Sequence, residues 1–133
     1  WLTNMSVALL LITHKNIGKD MMAITRSILN DEPNNTACVE IPMDADIESM
    51  KHEVADVLDS LSTDNGVLIL TDSYGSTPCN IANAFLNSDN RTLVSGLNLP
   101  MLIRVMNYRA QPLPELMDIA IEGGRRGIIS GTG

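Results

Sequence analysis

An apolar run, VALLLIT at residues 7–13, ends at His14 and is followed by a polar turn, KNIG at residues 15–18. An aliphatic run of this length is typical of a strand buried in a parallel sheet. Such a strand needs helices on both faces, which restricts the chain to the α/β folds. The carboxyl ends of parallel strands are also where ligands and catalytic groups collect. His14 is therefore either a functional imidazole or a side chain that only closes the turn with a hydrogen bond.

The rest of the chain alternates strand-like and helix-like segments. Further strands are predicted at residues 36–41, 66–71 and 92–96, and helices at residues 19–29, 46–61, 78–86, 100–108 and 113–122. Gly123 and Gly124 are expected to end the last helix, and the apolar tail at residues 127–130 is a candidate fifth strand. This alternation predicts a three-layer α/β sandwich with a mostly parallel sheet of about four strands plus the short C-terminal one.

Length and composition favour a globular protein. The 133 residues suit one domain, residues 1–133. Residues 1–4 precede Met5 and are either native or a remnant of cloning. A net charge of −7 argues against binding to nucleic acid or to an anionic membrane. The first apolar run is too short to span a bilayer and lacks a preceding basic region, so it is expected to be neither a membrane anchor nor a signal peptide.

The two cysteines and two histidines bear on the cellular location of the protein and on whether it binds a metal ion. Cys38 and Cys79 lack the spacing of metal ligands and are expected to be buried free thiols in a reducing cytoplasm. No metal or other cofactor is predicted. His52 lies among charged residues of the second helix and is expected on the surface.

The second informative segment is TDSYGSTPCN at residues 71–80, between a strand and a helix. Free N–H groups at a helix start favour anions, and Thr77 is predicted as the N-cap. Alternatively, Ser76 and Thr77 only cap the helix, and Asp72 only accepts hydrogen bonds from loop amides. Because neighbouring strands end at the same crevice, Asp72 is expected beside His14. A carboxylate that accepts Nδ1–H leaves Nε2 as the nucleophile, which suits phosphoryl transfer.

Four stretches also carry a family resemblance: ITH at residues 12–14, GVLILTD at 66–72, GSTPCN at 75–80 and GLNLPML at 96–102. In order and spacing they resemble the enzyme IIA component of the mannose family of the bacterial phosphoenolpyruvate:sugar phosphotransferase system. The resemblance covers nearly the whole chain. It implies a cytoplasmic phosphocarrier that accepts a phosphoryl group from the carrier protein HPr. The group then passes to a IIB domain or serves a regulatory target. The resemblance implies contact with a membrane at most through a permease complex.

The resemblance also implies roles for particular residues. His14 matches the phosphoacceptor, and Asp72 matches the carboxylate that orients it. The side chains implied around the phosphoryl group are Ser73, Ser76, Thr77 and Asn98. Members of the family form homodimers in which a C-terminal strand joins the partner's sheet, which suggests this role for the tail.

This chain departs from the family pattern at two places, and both bear on which protein receives the phosphoryl group from it. Transport members commonly have glycine directly after the histidine, where this chain has Lys15. They also commonly have WGGSP where residues 74–78 read YGSTP. Neither departure changes the nucleophile.

The alternative is that the chain does not transfer phosphoryl groups. It would then be a flavodoxin-like FMN protein or a module that binds small anions. Residues 71–77 resemble a hydroxyl-rich phosphate loop. However, this loop follows the third strand rather than the first, and aromatic residues make up only 3% of the chain, too few to enclose a flavin ring.

Overall fold

The computed structural model describes residues 6–88 and 90–133. Residues 1–4, whose origin the sequence left open, lie outside this part. The elements in chain order are β1 (Ala8–His14), α1 (Gly18–Leu29), β2 (Thr36–Ile41), α2 (Ile47–Asp59), β3 (Val67–Thr71), α3 (Thr77–Asn83), β4 (Arg91–Ser95), α4 (Leu99–Asn107) and α5 (Leu113–Arg126). Each strand and helix predicted between residues 7 and 122 is confirmed, with shifts of a few residues at the ends.

The four strands form one parallel sheet in the order β2-β1-β3-β4. Alternate side chains of β1 face opposite layers, as the two-residue period of a strand requires. Leu9 and Leu11 pack in the core that includes Met22 of α1, α4 and α5, whereas Leu10 and Ile12 pack in the core formed with α2 and α3. The three-layer sandwich is therefore confirmed, and it places the end of β1 between the ends of β2 and β3.

The prediction that Gly123 and Gly124 end the last helix is wrong, because α5 continues to Arg126. A Cβ atom built on Gly123 would lie 2.7 Å from Cβ of Arg104, and one on Gly124 would lie 2.9 Å from Cε of Met101. The glycines therefore allow α5 to pack closely on α4.

The predicted fifth strand does not form within a single copy of the chain. Residues 127–130, all of which the structure describes, are not part of the sheet. Ile128 and Ile129 are 80% and 82% exposed. A strand requires a hydrogen-bonded partner, and the tail leaves the end of α5 without pairing with β4. Within residues 6–88 and 90–133, the outer edge of β4 therefore pairs with no strand.

Candidate active site

His14 is the last residue of β1, and Asp72 directly follows β3, which pairs with β1. The structure brings these two side chains together, with His14 Nδ1 2.7 Å from Asp72 Oδ2. The same carboxylate oxygen accepts a hydrogen bond from the backbone N–H of His14 at 3.2 Å. Asp72 therefore restrains both the ring and the peptide of His14.

The exposure of this pair suits a reactive imidazole. The His14 side chain is 31% exposed, whereas that of Asp72 is only 10% exposed. Thr71 also donates a long hydrogen bond of 3.5 Å to Asp72 Oδ1. Among the described residues, none bonds to Nε2 of His14. With Nδ1–H donated to the carboxylate, Nε2 carries the lone pair that can attack an electrophile.

The turn between β1 and α1 contains a hydrogen-bond bridge that the sequence reasoning missed. The Thr13 hydroxyl donates to the carbonyl oxygen of His14 at 2.8 Å and accepts from the backbone N–H of Gly18 at 2.9 Å. Thr13 is fully buried. The sequence signal for this bridge is a threonine directly before the histidine, with a glycine five positions after the threonine.

The loop after β3 differs in one detail from the prediction. Ser76, not Thr77, is the N-cap of α3, and its hydroxyl accepts a long hydrogen bond of 3.5 Å from the N–H of Cys79. The Ser76 hydroxyl also donates to the carbonyl of Ser73 at 2.7 Å. Ser73 and Thr77 are exposed, and their hydroxyls bond to none of the described residues. These two hydroxyls are thus available to an incoming group.

Asn98 has bonding partners within the fold. It is the N-cap of α4, where its Oδ1 accepts from the N–H of Met101 at 2.9 Å. Its Nδ2 donates to the carbonyl of Gly124 in α5 at 3.3 Å. Its loop follows β4, which β3 separates from β1. The structure therefore gives Asn98 a bridging position between α4 and α5, and no hydrogen bond among the described residues joins it to His14.

Two large, exposed apolar side chains follow the strands that flank β1, close in sequence to the strand ends beside His14. Ile41, the last residue of β2, pairs with His14, and Met43 follows two residues later with 90% exposure. Tyr74 follows Asp72 by two residues and is 85% exposed. We call these two residues the apolar flanks. Apolar side chains exposed beside a reactive group are typical of a surface that binds another protein.

Acidic residues lie next to Met43 on the side of α2. Asp44, Asp46 and Glu48 are all exposed. Hydrogen bonds from the side chain and then from the backbone N–H of Ser49 lower the pKa of the Asp46 carboxyl, so this N-cap of α2 stays charged. The surface beside Met43 therefore favours a partner with basic groups at that position.

Among the described residues, the side chains of Cys38, Cys79 and His52 form no hydrogen bond with His14 or Asp72. Cys38 and Cys79 are free thiols, but Cys38 is only half-buried, which corrects the expectation of full burial. Burial raises the pKa of the Cys38 thiol to about 12, so the thiol stays protonated. His52 is exposed on α2, as predicted. No helix in the described part of the chain is long and apolar enough to cross a membrane.

Comparison with known proteins places this geometry in a family. The EIIA-man model, which describes the fructose IIA component of the phosphotransferase system, matches residues 8–119. The mannose-specific EIIAB component of Escherichia coli K12 is 27% identical over 127 residues, which cover 93% of this chain and 39% of that protein. The fructose-specific EIIA component of Bacillus subtilis 168 is 32% identical over 79 residues, or 59% of this chain and 54% of that protein. The chain thus spans less than half the length of the E. coli relative.

A solved structure supports the fold independently. The mannose/sorbose-specific IIA subunit from Enterococcus faecalis superposes with a TM-score of 0.84 over 96% of both chains, at 24% sequence identity. The family model covers most of the chain, including both His14 and Asp72. The chain therefore belongs to the mannose/fructose family of phosphotransferase-system IIA components.

Proposed function

We propose that the chain is a phosphocarrier that accepts a phosphoryl group on Nε2 of His14 from phosphohistidine on HPr. It then passes the group to a IIB-type acceptor or holds it as a regulatory signal. The observation that carries the proposal is the 2.7 Å contact between His14 Nδ1 and Asp72 Oδ2, which leaves Nε2 without a partner among the described residues. The membership of the chain in the IIA family supports the same chemistry.

The transfer step follows from this geometry. The Nε2 lone pair of His14 forms a bond to phosphorus while the P–N bond of the donor breaks. The electron pair of that bond returns to the donor imidazole. Because attacking and leaving groups are both imidazoles, the transition state is loose and nearly symmetric, and alignment with charge stabilisation dominates catalysis. The Asp72 carboxylate stabilises the positive charge that develops on the His14 ring.

The phosphoryl oxygens need hydrogen-bond donors at this site. The hydroxyls of Ser73 and Thr77 are exposed and form no hydrogen bond with the described residues. They are therefore free to donate to those oxygens, which supports a role in holding the phosphoryl group. Ser76 supports the loop by capping α3 and bonding to Ser73. Asn98 is proposed to border the site through its loop, since the N–H of Leu97 in that loop bonds to the carbonyl of Thr71.

The direct test uses the unmodified protein. Incubation with phosphoenolpyruvate, enzyme I and HPr should add one acid-labile phosphoryl group per chain, measured by intact-protein mass spectrometry. Omitting HPr should prevent the labelling. A protein that stays unlabelled with the full set of reagents, or that purifies with a yellow flavin, would favour the FMN or anion-binding alternative.

The proposed partner is a protein, and the apolar flanks predict how it binds. Replacing Met43 and Tyr74 together by serine should raise the KM for phospho-HPr by roughly tenfold or more, because aromatic and methionine anchors carry much of the energy of an interface. The turnover at saturating HPr should change little. Steady-state transfer kinetics measure both values. Ile28→Ser on α1, where Ile28 is 55% exposed, is the matched control and should leave the KM unchanged.

We also propose that two copies of the chain form a symmetric dimer through exchanged tails. The exposed Ile128 and Ile129, the free edge of β4 and a cavity of about 400 Å³ between β4 and α5 support this proposal. A free strand edge is stabilised when another chain pairs with it. Residues Leu93, Met117 and Ile121 line the cavity and offer apolar contacts to an incoming tail.

Truncation after Arg126, which keeps α5 complete, should convert the dimer to a monomer. Light scattering on the intact and truncated chains measures the mass of each. The double variant Ile128→Ser with Ile129→Ser should behave like the truncation, whereas Ile28→Ser should not. An intact chain that is monomeric, or a truncated chain that remains fully dimeric, would refute the exchanged tail.

The free thiols of Cys38 and Cys79 support a cytoplasmic location for this proposed reaction, because reducing compartments keep cysteines unpaired.

A further inference from the structure

The Thr13 hydroxyl links the reactive histidine to the helix that follows it. The Gly18 N–H can only donate, so the hydroxyl oxygen accepts that hydrogen bond at 2.9 Å. The carbonyl of His14 can only accept, so the hydroxyl hydrogen goes to it at 2.8 Å. The Thr13 side chain and its bond to Gly18 are buried, whereas its bond to the carbonyl of His14 is partly buried. A hydroxyl is the smallest side-chain group that can make both bonds at once.

The start of α1 depends on this hydroxyl. Ile17, which precedes the helix, provides no side-chain cap, so the N–H of Gly18 has its partner in the preceding strand. A Cβ atom on Gly18 would lie 2.9 Å from Thr13 Oγ1 and would overlap Cys38 Sγ. Glycine at position 18 therefore permits the approach of the helix that makes the bridge.

The bridge completes the restraint on His14. Asp72 binds the backbone N–H and ring Nδ1 of His14, whereas Thr13 binds the carbonyl oxygen. The turn that follows is weakly packed, because Lys15 and Asn16 are exposed, and Asn16 adopts a left-handed conformation with φ of 71°. The peptide that joins His14 to Lys15 is held by two hydrogen bonds, from the N–H of Lys15 to the carbonyl of Ile41 at 3.1 Å and from the Thr13 hydroxyl to the carbonyl of His14. Without the Thr13 bond, only the N–H side of this peptide would remain restrained.

We infer that Thr13 is a positioning residue for phosphoryl transfer: its hydroxyl fixes the His14 peptide against the start of α1 and so aligns Nε2 with the incoming phosphorus. Thr13 itself touches no reacting atom. The inference rests on the proposed function of His14. It identifies Thr13 as the residue through which α1 contributes to the alignment of the nucleophile.

Thr13→Val tests the inference, because valine keeps the shape of threonine and removes only the hydrogen-bonding group. We expect kcat for transfer from phospho-HPr to fall roughly 10- to 100-fold, since misalignment of about 1 Å can cost this much. The KM for HPr should stay within about twofold, because the docking surface is unchanged. Thr13→Ser restores the hydroxyl and should recover the rate to within about threefold of the unmodified protein.

Thr25→Val is the matched control. Thr25 is buried on α1, and its hydroxyl bonds to the carbonyl of Met21 within the same helix at 2.8 Å. The same substitution there removes a buried hydroxyl that has no connection to His14. Its kcat should equal that of the unmodified protein, which separates loss of alignment from a general loss of stability.

A measurement on the unmodified protein keeps the inference testable if Thr13→Val does not fold. The Gly18 amide should exchange with deuterium slowly, although first-turn helix amides usually lack an intrahelical partner. Rapid exchange of this amide, or a Thr13→Val variant with unchanged kcat, would overturn the inference. If the unmodified protein accepts no phosphoryl group from HPr, the proposed function of His14 is refuted. If the unmodified protein is phosphorylated but Thr13→Val transfers at the same rate, only the role of Thr13 is refuted.

Discussion

His14→Ala is expected to abolish acid-labile phosphorylation by phosphoenolpyruvate, enzyme I and HPr. The variant loses the nitrogen to which the phosphoryl group is proposed to bind, and the other histidine, His52, lies on the exposed surface of α2. Mass spectrometry of the intact protein and of its peptides measures the result. The fold should persist, because the lost hydrogen bond to the Asp72 carboxylate contributes about 1.5–3 kcal/mol, Asp72 keeps its hydrogen bond from the backbone N–H of residue 14, and the His14 side chain is partly exposed.

His52→Ala is the matched control for this experiment. It removes an imidazole of equal size and should label to the same extent and at the same rate as the unmodified protein. Phosphate found on His52, or full labelling of His14→Ala, would contradict the assignment of the nucleophile.

Asp72→Asn should slow phosphoryl transfer by roughly 100-fold or more, the range for loss of a group that orients a catalytic histidine. The amide has almost the shape of the carboxylate but no charge to stabilise the developing imidazolium. The amide can also turn its NH₂ group toward Nδ1. That contact would place the imidazole proton on Nε2 and remove the nucleophilic lone pair. Stopped transfer reactions followed by mass spectrometry give the rate.

Asp56→Asn provides a control with the same change of charge, because Asp56 is an exposed carboxylate on α2. Its transfer rate should match that of the unmodified protein. If Asp72→Asn also transfers at an unchanged rate while remaining folded, Asp72 has no role in the mechanism, and the 2.7 Å contact with His14 is only structural.

The sequence predicted the features that depend on local pattern and on strand order. The aliphatic run at residues 7–13 is buried on both faces because each face meets a separate helical layer. The meeting of His14 with Asp72 followed from the rule that neighbouring parallel strands end at one crevice. Both predictions use periodicity and topology, which a single sequence carries directly.

The predictions that failed depend on contacts between distant segments. Glycines usually mark the end of a helix, but Gly124 lies within α5 because Met101 of α4 packs against it. The N-cap of α3 is one residue earlier than predicted, since Ser76 and Thr77 have equivalent capping chemistry and only the backbone selects between them. The bridging role of Thr13 required the position of Gly18, which no periodicity reveals.

Because the strand order is β2-β1-β3-β4, a carrier protein at His14 and a second copy of the chain at β4 would bind from different directions. The proposed carrier protein would approach His14 along the strand axes, at the ends where β1 and β3 stop. In the proposed dimer, a second copy pairing with β4 would approach sideways, perpendicular to those axes, and its added strand would lie three strand spacings, about 14 Å, from β1. Assembly of the proposed dimer would therefore leave each His14 accessible to its own carrier protein. The dimer would behave as two independent acceptors, taking up two phosphoryl groups without one occupancy obstructing the other.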